Sequence, residues 1–105
     1  CYVKNVIQAN IQAAISDTKG AEVYNIACND QTTLNQLFNH LKDILSSECG
    51  IHYKKMPVYK PFREGDIRHS RADIKKAKED FKYWPKYKIQ KGLEETIHWY
   101  VSNLK

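Results

Sequence analysis

Residues Val3 to Ala27 read VKNVIQANIQAAISDTKGAEVYNIA. This stretch predicts a helix followed by a strand, and the predicted fold class rests on that order. Apolar side chains recur at helical spacing from Val3 to Ile15 without proline or glycine, which predicts an amphipathic helix that ends before Gly20. Glu22–Ala27 is short, β-branched and aromatic, which is typical of a strand. A helix followed by a strand is half of an α/β crossover, so we expect the rest of its sheet to lie outside this sequence.

The middle of the chain predicts a second helix and a second extended segment. Thr33 and Gln36 have the spacing of a capping box, in which each side chain bonds the other residue's backbone N–H. This box opens a helix to about Ser46, followed by a loop to Ile51. Two prolines within His52–Phe62 exclude a helix and a central strand, so this segment is predicted to be an extended edge.

The last third of the chain predicts two more helices. Asp73 is placed to cap a short helix over Ile74–Phe81, with Ala77 and Phe81 facing inward. The final helix is predicted over Ile89–Asn103, with an apolar face formed by Leu93, Ile97, Tyr100, Val101 and Leu104. The predicted class is mixed α/β, with about four helices and two or three short strands in a single domain over residues 1–105.

Length and composition are typical of one folded domain that does not insert into a membrane. The chain has 105 residues, 42% of them hydrophobic, with twelve aromatic residues, which argues against disorder. No apolar run is long enough to cross a bilayer, so we expect no membrane insertion. Three cysteines form no framework spacing, which favours a reduced, cytoplasmic protein.

The charge is unevenly distributed along the chain. Residues 1–53 carry three lysines and five acidic residues, a net −2, whereas residues 54–105 carry fourteen basic and seven acidic residues, a net +7. A basic half suits an anionic partner, or it is a solvated lysine surface. One alternative function is therefore a small module that binds polyanions or nucleic acid. Nucleic acid is disfavoured, because neither aromatic-interleaved basic strands nor helix-turn-helix spacing is present.

The stretch Arg63–Asp73 is the candidate binding loop. The guanidinium fork of Arg63 can bond two phosphate oxygens at once. Gly65 allows a sharp turn, and the carboxylate of Asp66 can accept hydrogen bonds from a sugar diol. A loop that holds a phosphorylated sugar is one interpretation, and a solvated basic loop with a helix cap is the other.

Five motifs in register carry a resemblance that covers essentially all 105 residues. They are Tyr2-Val-Lys-Asn-Val-Ile-Gln-Ala-Asn, Glu22-Val-Tyr-Asn-Ile-Ala, Thr32-Thr-Leu-Asn-Gln-Leu, Phe62-Arg-Glu-Gly-Asp-Ile-Arg-His-Ser-Arg-Ala-Asp and Gly92-Leu-Glu-Glu-Thr-Ile-His-Trp-Tyr. The chain resembles the C-terminal part of an extended short-chain dehydrogenase/reductase of the UDP-glucose 4-epimerase family. Within it, the chain is most similar to UDP-N-acetylglucosamine 4-epimerases, isomerases that serve surface polysaccharide synthesis by interconverting UDP-GlcNAc and UDP-GalNAc.

This resemblance implies roles for three residues of the loop. The family's diphosphate-binding arginine corresponds to Arg63, and its ribose-side aspartate corresponds to Asp66. A position four residues farther on borders the sugar pocket and is Ser70 here, whose small side chain suits an N-acetylated sugar. Asp73 is interpreted as a helix cap, and no catalytic or metal-binding residue is assigned.

The resemblance also implies that NAD belongs to the parent enzyme and not to this chain alone. The sequence contains no Gly-x-Gly-x-x-Gly turn after a strand. The spacing Tyr87-x-x-x-Lys91 occurs at a turn entering the last helix, and we interpret it as coincidental rather than catalytic. We therefore expect an inactive substrate-side portion without the NAD-binding domain, weak binding of a UDP-sugar, and self-association through the apolar face of residues 3–15.

Overall fold

Four helices form the regular structure of this protein in a computed structural model that describes residues 1–103. In chain order they are α1 (Val3–Ile15), α2 (Leu34–Cys49), α3 (Lys75–Phe81) and α4 (Ile89–Asn103). The bounds of α1 and α4 confirm the predicted helices, while Leu104 of the predicted α4 face lies outside the described residues. None of these four helices is both long and apolar enough to cross a membrane.

The chain falls into two compact units. The first consists of Cys1–Asp30 and Arg71–Gly92, and the second consists of Gln31–Ser70 and the residues from Leu93 onward. Helices α1 and α3 belong to the first unit and α2 to the second. The candidate loop residues Arg63, Asp66 and Ser70 lie in the second unit, whereas Asp73 lies in the first.

Helix α2 begins at the predicted capping box and ends later than predicted. The Gln36 backbone N–H donates to the Thr33 hydroxyl oxygen at 3.2 Å, and the Thr33 N–H donates to the Gln36 side-chain oxygen at 2.9 Å. The predicted end at Ser46 is wrong, because no proline or glycine interrupts the helix between Ser46 and Cys49. The helix ends where Gly50 adopts the left-handed conformation, with φ +66°.

Helix α3 begins at Lys75, one residue after the predicted start. The Asp73 carboxylate still accepts the Lys75 backbone N–H at 2.8 Å, so it satisfies one of the free donors at this helix end. Ala77 and Phe81 are buried, as predicted. Lys82 then turns left-handed, with φ +59°, and ends the helix.

The predicted strands are wrong, since residues 1–103 contain no strand. Glu22–Ala27 and His52–Phe62 have strand-like composition, but a strand also needs a neighbour whose backbone completes the hydrogen-bond ladder. No segment in the described part of the chain supplies that neighbour. The regular structure observed in these residues is therefore the four helices, which irregular segments connect.

Along the Glu22–Ala27 segment, two side chains donate hydrogen bonds to backbone carbonyl groups that a neighbouring strand would bond in a sheet. The Lys76 ammonium donates to the carbonyl oxygen of Val23 at 3.2 Å, and the Tyr83 hydroxyl donates to that of Ala27 at 2.9 Å. These bonds hold the extended segment against the α3 region without any strand pairing.

The core of the first unit forms where α1, α3 and the Glu22–Ala27 segment meet. Its buried cluster consists of Ala9, Ile74, Ala77, Phe81 and Tyr83. The Tyr24 and Phe81 rings pack edge to face, with centroids 4.9 Å apart, an arrangement that aromatic pairs favour. Tyr83 is fully buried, and this burial raises the pKa of its phenol. Its hydroxyl donates to the Ala27 carbonyl oxygen.

Helix α1 packs through its polar face. Asn5 and Ala9 are its buried residues, whereas the apolar side chains that define its amphipathic face point away from the core of the unit. Ile7 is 51% exposed, Ile11 57% and Ile15 80%. The sequence pattern correctly predicts the helix, but the apolar face is not the face that this unit buries.

Polar residues of α1 face inward because they bond backbone groups of the irregular segment 83–87. Asn5 does this twice: its Nδ2 donates to the Tyr87 carbonyl oxygen at 2.7 Å, and its Oδ1 accepts the Tyr87 N–H at 3.0 Å. The Gln8 amide donates to the Trp84 carbonyl oxygen at 3.0 Å. Buried backbone groups outside helices and sheets need such partners, and α1 supplies them.

The second unit buries Ile44 of α2 and Ile97 of α4. The imidazole of His98 lies 3.4 Å from the Glu48 carboxylate, which joins these two helices at their surface. Leu34, the first residue of α2, is 83% exposed.

Candidate functional site

The loop at Arg63–Asp66 is a tight turn built around glycine. The Asp66 backbone N–H donates to the Arg63 carbonyl oxygen at 3.2 Å, which closes the turn. Gly65 has φ +84°, a value that side chains with a Cβ rarely adopt. The turn brings the side chains at its two ends to the same side of the loop.

Arg63 and Asp66 form a two-point ion pair across this turn. The Arg63 Nη2 lies 3.3 Å from Asp66 Oδ1, and the Arg63 Nε lies 3.4 Å from Oδ2. The side chains are 86% and 40% exposed, so the pair is in contact with water and contributes little to stability by itself. Its geometric effect is larger, because the carboxylate occupies one edge of the guanidinium and leaves the remaining N–H donors directed outward.

Ser70 lies exposed in the same unit as the ion pair. Among the described residues the structure shows a direct contact between Arg63 and Asp66, and no hydrogen bond joins Ser70 to either of them. Asp73 makes the backbone contact expected of a cap.

The other two arginines of the stretch have separate partners. Arg68 places its guanidinium carbon 4.3 Å from the centre of the Phe62 ring, a cation–π contact at the surface of the second unit. Arg71, in the first unit, donates from Nε to Asn29 Oδ1 at 3.2 Å. Asn29 has φ +49°, and asparagine is one of the few residues that adopt this region readily.

A cluster that the sequence analysis did not identify lies beside α1. The amide nitrogen of Asn5 is 3.7 Å from the Cys1 sulfur and 3.6 Å from the Cys28 sulfur. The two cysteines are far apart in sequence and follow no recognised spacing. No pattern in the sequence could have paired them.

Comparison with known proteins relates the chain to enzymes that act on nucleotide sugars. It is 31% identical over 102 residues to a "Putative UDP-glucose 4-epimerase" of Methanocaldococcus jannaschii, across 97% of this chain. It is 30% identical over 80 residues to UDP-glucuronate 4-epimerase 6 of Arabidopsis thaliana, across 76% of this chain. The chain is related to the UDP-sugar 4-epimerases. A UDP-glucuronate 4-epimerase of Thermodesulfobacterium geofontis is 26% identical over 104 residues, or 98% of this chain.

These matches confirm the 4-epimerase resemblance at the level of the family, although no family profile matches the chain. The chain spans 30%, 16% and 30% of the lengths of these three relatives. It therefore aligns with one portion of each of these longer relatives. The names of the relatives refer to UDP-glucose and UDP-glucuronate and not to an N-acetylated sugar.

Proposed function

We propose that this chain is the substrate-side portion of an NAD-dependent 4-epimerase whose substrate is a UDP-N-acetylhexosamine. The observation that supports this most strongly is the similarity to UDP-sugar 4-epimerases along nearly the whole chain. The epimerase assignment applies to the longer protein, since the chain covers under a third of these relatives.

Arg63 is the proposed contact to the diphosphate. Its side chain is exposed, it carries a permanent charge, and Asp66 holds it by one edge. An arginine already oriented by a carboxylate loses less side-chain freedom when it binds phosphate, which favours affinity. Asp66 has oxygen lone pairs left for a ribose hydroxyl after it has accepted from Arg63.

Ser70 is the proposed determinant of the sugar's 2-substituent. The argument is one of volume, because a serine leaves room for an acetamido group where a bulky aromatic side chain would not. This preference rests on the position that the resemblance assigns to Ser70 and on its small size, and it extends the proposal beyond the UDP-glucose and UDP-glucuronate relatives.

The described residues of this chain do not offer the site that NAD needs. The described residues contain no strand followed by a glycine-rich turn and a helix, which is the arrangement that holds the pyrophosphate of NAD. In the proposed function NAD is bound by the part of the enzyme that corresponds to the rest of the longer relatives, and no step of the reaction is assigned to residues of this chain.

Binding of UDP to the isolated chain tests the phosphate contact. We expect weak binding by isothermal titration calorimetry, and Arg63→Ala should weaken it by roughly 10- to 100-fold, since a hydrogen bond to a charged group contributes about 1.5–3 kcal/mol. Lys60→Ala is the matched control, because it removes the same charge from an exposed residue of the same unit. Equal affinities for the Arg63→Ala variant and the unmodified chain would contradict the assignment.

An activity assay tests whether the chain is incomplete as an enzyme. We expect no conversion of UDP-N-acetylglucosamine into UDP-N-acetylgalactosamine by the 105-residue chain with added NAD, because residues 1–103 contain no glycine-rich strand–turn–helix that would hold the cofactor. A complete UDP-N-acetylglucosamine 4-epimerase in parallel reactions serves as the positive control. Turnover by the isolated chain would show that it contains the catalytic groups and would overturn the proposal of a substrate-side portion.

A further inference from the structure

Two thiols converge on one buried amide in the first unit. The Nδ2 atom of Asn5 lies 3.7 Å from the Cys1 sulfur and 3.6 Å from the Cys28 sulfur. The two sulfur atoms can therefore be no farther apart than the sum of these distances. Asn5 is itself fully buried and held by Tyr87, so the point on which the thiols converge is rigid.

Both cysteines lie outside helices, where their side chains can reorient. Cys1 precedes α1 and is exposed, and Cys28 follows the extended Glu22–Ala27 segment and is half-buried. A disulfide requires a sulfur–sulfur distance of about 2.05 Å. Rotation of each side chain between staggered positions moves its sulfur by about 3 Å, which is enough to close a separation of the size that the two Asn5 distances allow.

Their different exposure gives the two thiols different roles. In the 105-residue chain Cys1 is exposed, whereas the Cys28 thiol is half-buried and donates to the Tyr87 carbonyl oxygen at 3.4 Å. An accessible thiol beside a sheltered one is the arrangement of an attacking and a resolving cysteine. The third cysteine, Cys49, belongs to the other unit and is not part of this pair.

We propose that Cys1 and Cys28 form a reversible disulfide by exchange with a low-molecular-weight disulfide such as oxidised glutathione. The Cys1 thiolate attacks one sulfur of the reagent, which breaks its S–S bond and releases one glutathione thiolate. The Cys28 thiolate then attacks the Cys1 sulfur of the mixed disulfide. This step forms the Cys1–Cys28 bond and releases the second glutathione thiolate. Two cysteine thiols are oxidised, one glutathione disulfide is reduced to two thiols, and the two cysteine protons pass to the released thiolates.

The bond makes this corner of the first unit sensitive to redox conditions. It ties the residues before α1 to the residue that follows the extended segment, and it restricts the unfolded chain between them. It also removes the S–H group through which Cys28 donates to Tyr87. This inference uses only the first unit and does not depend on the nucleotide-sugar function.

Thiol mapping of a Cys49→Ser chain tests the proposal. The chain is equilibrated with mixtures of reduced and oxidised glutathione, quenched with acid, and analysed by mass spectrometry without reduction. We expect a product that has lost two hydrogen atoms and yields one peptide pair linking Cys1 to Cys28. The ratio of this product to the mixed glutathione adduct should be at least about tenfold higher than for the same chain in concentrated guanidinium chloride, because folding holds the thiols together.

Two variants define the controls. With Cys49→Ser in the background, Cys28→Ser should stop at the glutathione adduct on Cys1, and Cys1→Ser should react more slowly because its remaining thiol is half-buried. A folded chain that accumulates the mixed adduct without closing, or closes no better than the denatured chain, would overturn the proposal. In the chain with all three cysteines, disulfides that contain Cys49 should be rarer than the Cys1–Cys28 disulfide. Equal amounts of the two would also overturn the proposal.

Discussion

Replacing Asn5 with alanine is expected to lower the free energy of unfolding of the first unit by about 3 kcal/mol. The substitution removes both hydrogen bonds to Tyr87, one at 2.7 Å and one at 3.0 Å, and leaves a backbone donor and acceptor without partners. Each buried polar group left unsatisfied costs about 1–3 kcal/mol. Because a domain of this size is stable by roughly 5–15 kcal/mol, the loss is large enough to measure by urea denaturation followed by circular dichroism.

Asn10→Ala on the same helix is the matched control. Asn10 is exposed, so the same change of residue type should alter the unfolding free energy by no more than about 0.5 kcal/mol. If the two variants lose similar amounts, Asn5 contributes through helix propensity and not through its bonds to Tyr87, and the proposed anchoring of α1 would be wrong.

Replacing Ile7 and Ile11 together with lysine is expected to weaken self-association of the chain by at least about 100-fold. Both side chains are more than half exposed, and with Val3 and Ile15 they form a continuous apolar stripe on α1. In a solution of the isolated chain, the available cover for this stripe is a second copy. Burial of an isoleucine contributes about 1.5–3 kcal/mol, so two lysines should shift the monomer–dimer equilibrium measured by sedimentation.

The folded monomer should tolerate this double substitution, because both side chains are more than half exposed and the helix remains bonded through Asn5. A control chain with Met56→Lys and Ile67→Lys adds the same charge at exposed apolar positions of the second unit and should associate as the unmodified chain does. An unmodified chain that stays monomeric at several hundred micromolar would contradict the prediction, and so would equal effects of the two double variants.

The two faces of α1 explain why both substitutions have large expected effects. One face is polar and supplies the hydrogen bonds that the segment 83–87 needs, whereas the other is apolar and largely exposed. Under the proposed function, the apolar stripe is the side of an α/β crossover helix that would meet the sheet of the longer enzyme. A helix with this division of faces is suited to joining two parts of one protein.

The helices could be predicted because their signals are local. The bounds of α1 and α4 follow from apolar spacing and from the residues that interrupt it, and the start of α2 follows from the Thr33–Gln36 box. The Arg63–Asp66 ion pair is local in the same sense, because residues three apart around a glycine turn must lie side by side. The family relationship also follows from short motifs whose order along the chain carries the information.

The extended segments could not be predicted correctly, because strand formation depends on a neighbour and not on the segment itself. Glu22–Ala27 has the residues of a strand, but in this chain lysine and tyrosine side chains bond its carbonyl groups instead. The sequence also could not predict which face of α1 packs against the rest of the first unit. Hydrophobic periodicity predicts that a helix has two faces, while the partners present decide which face is buried.

Local sequence therefore determined the helices, the turn that pairs Arg63 with Asp66, and the relationship to the 4-epimerases. Tertiary structure alone decided that the polar face of α1 packs inward and that Cys1 and Cys28 meet at Asn5. The physical reason is the range of the interactions. Capping, helical periodicity and glycine turns act within a few residues, whereas burial and the pairing of distant backbone and thiol groups require segments that only folding brings together.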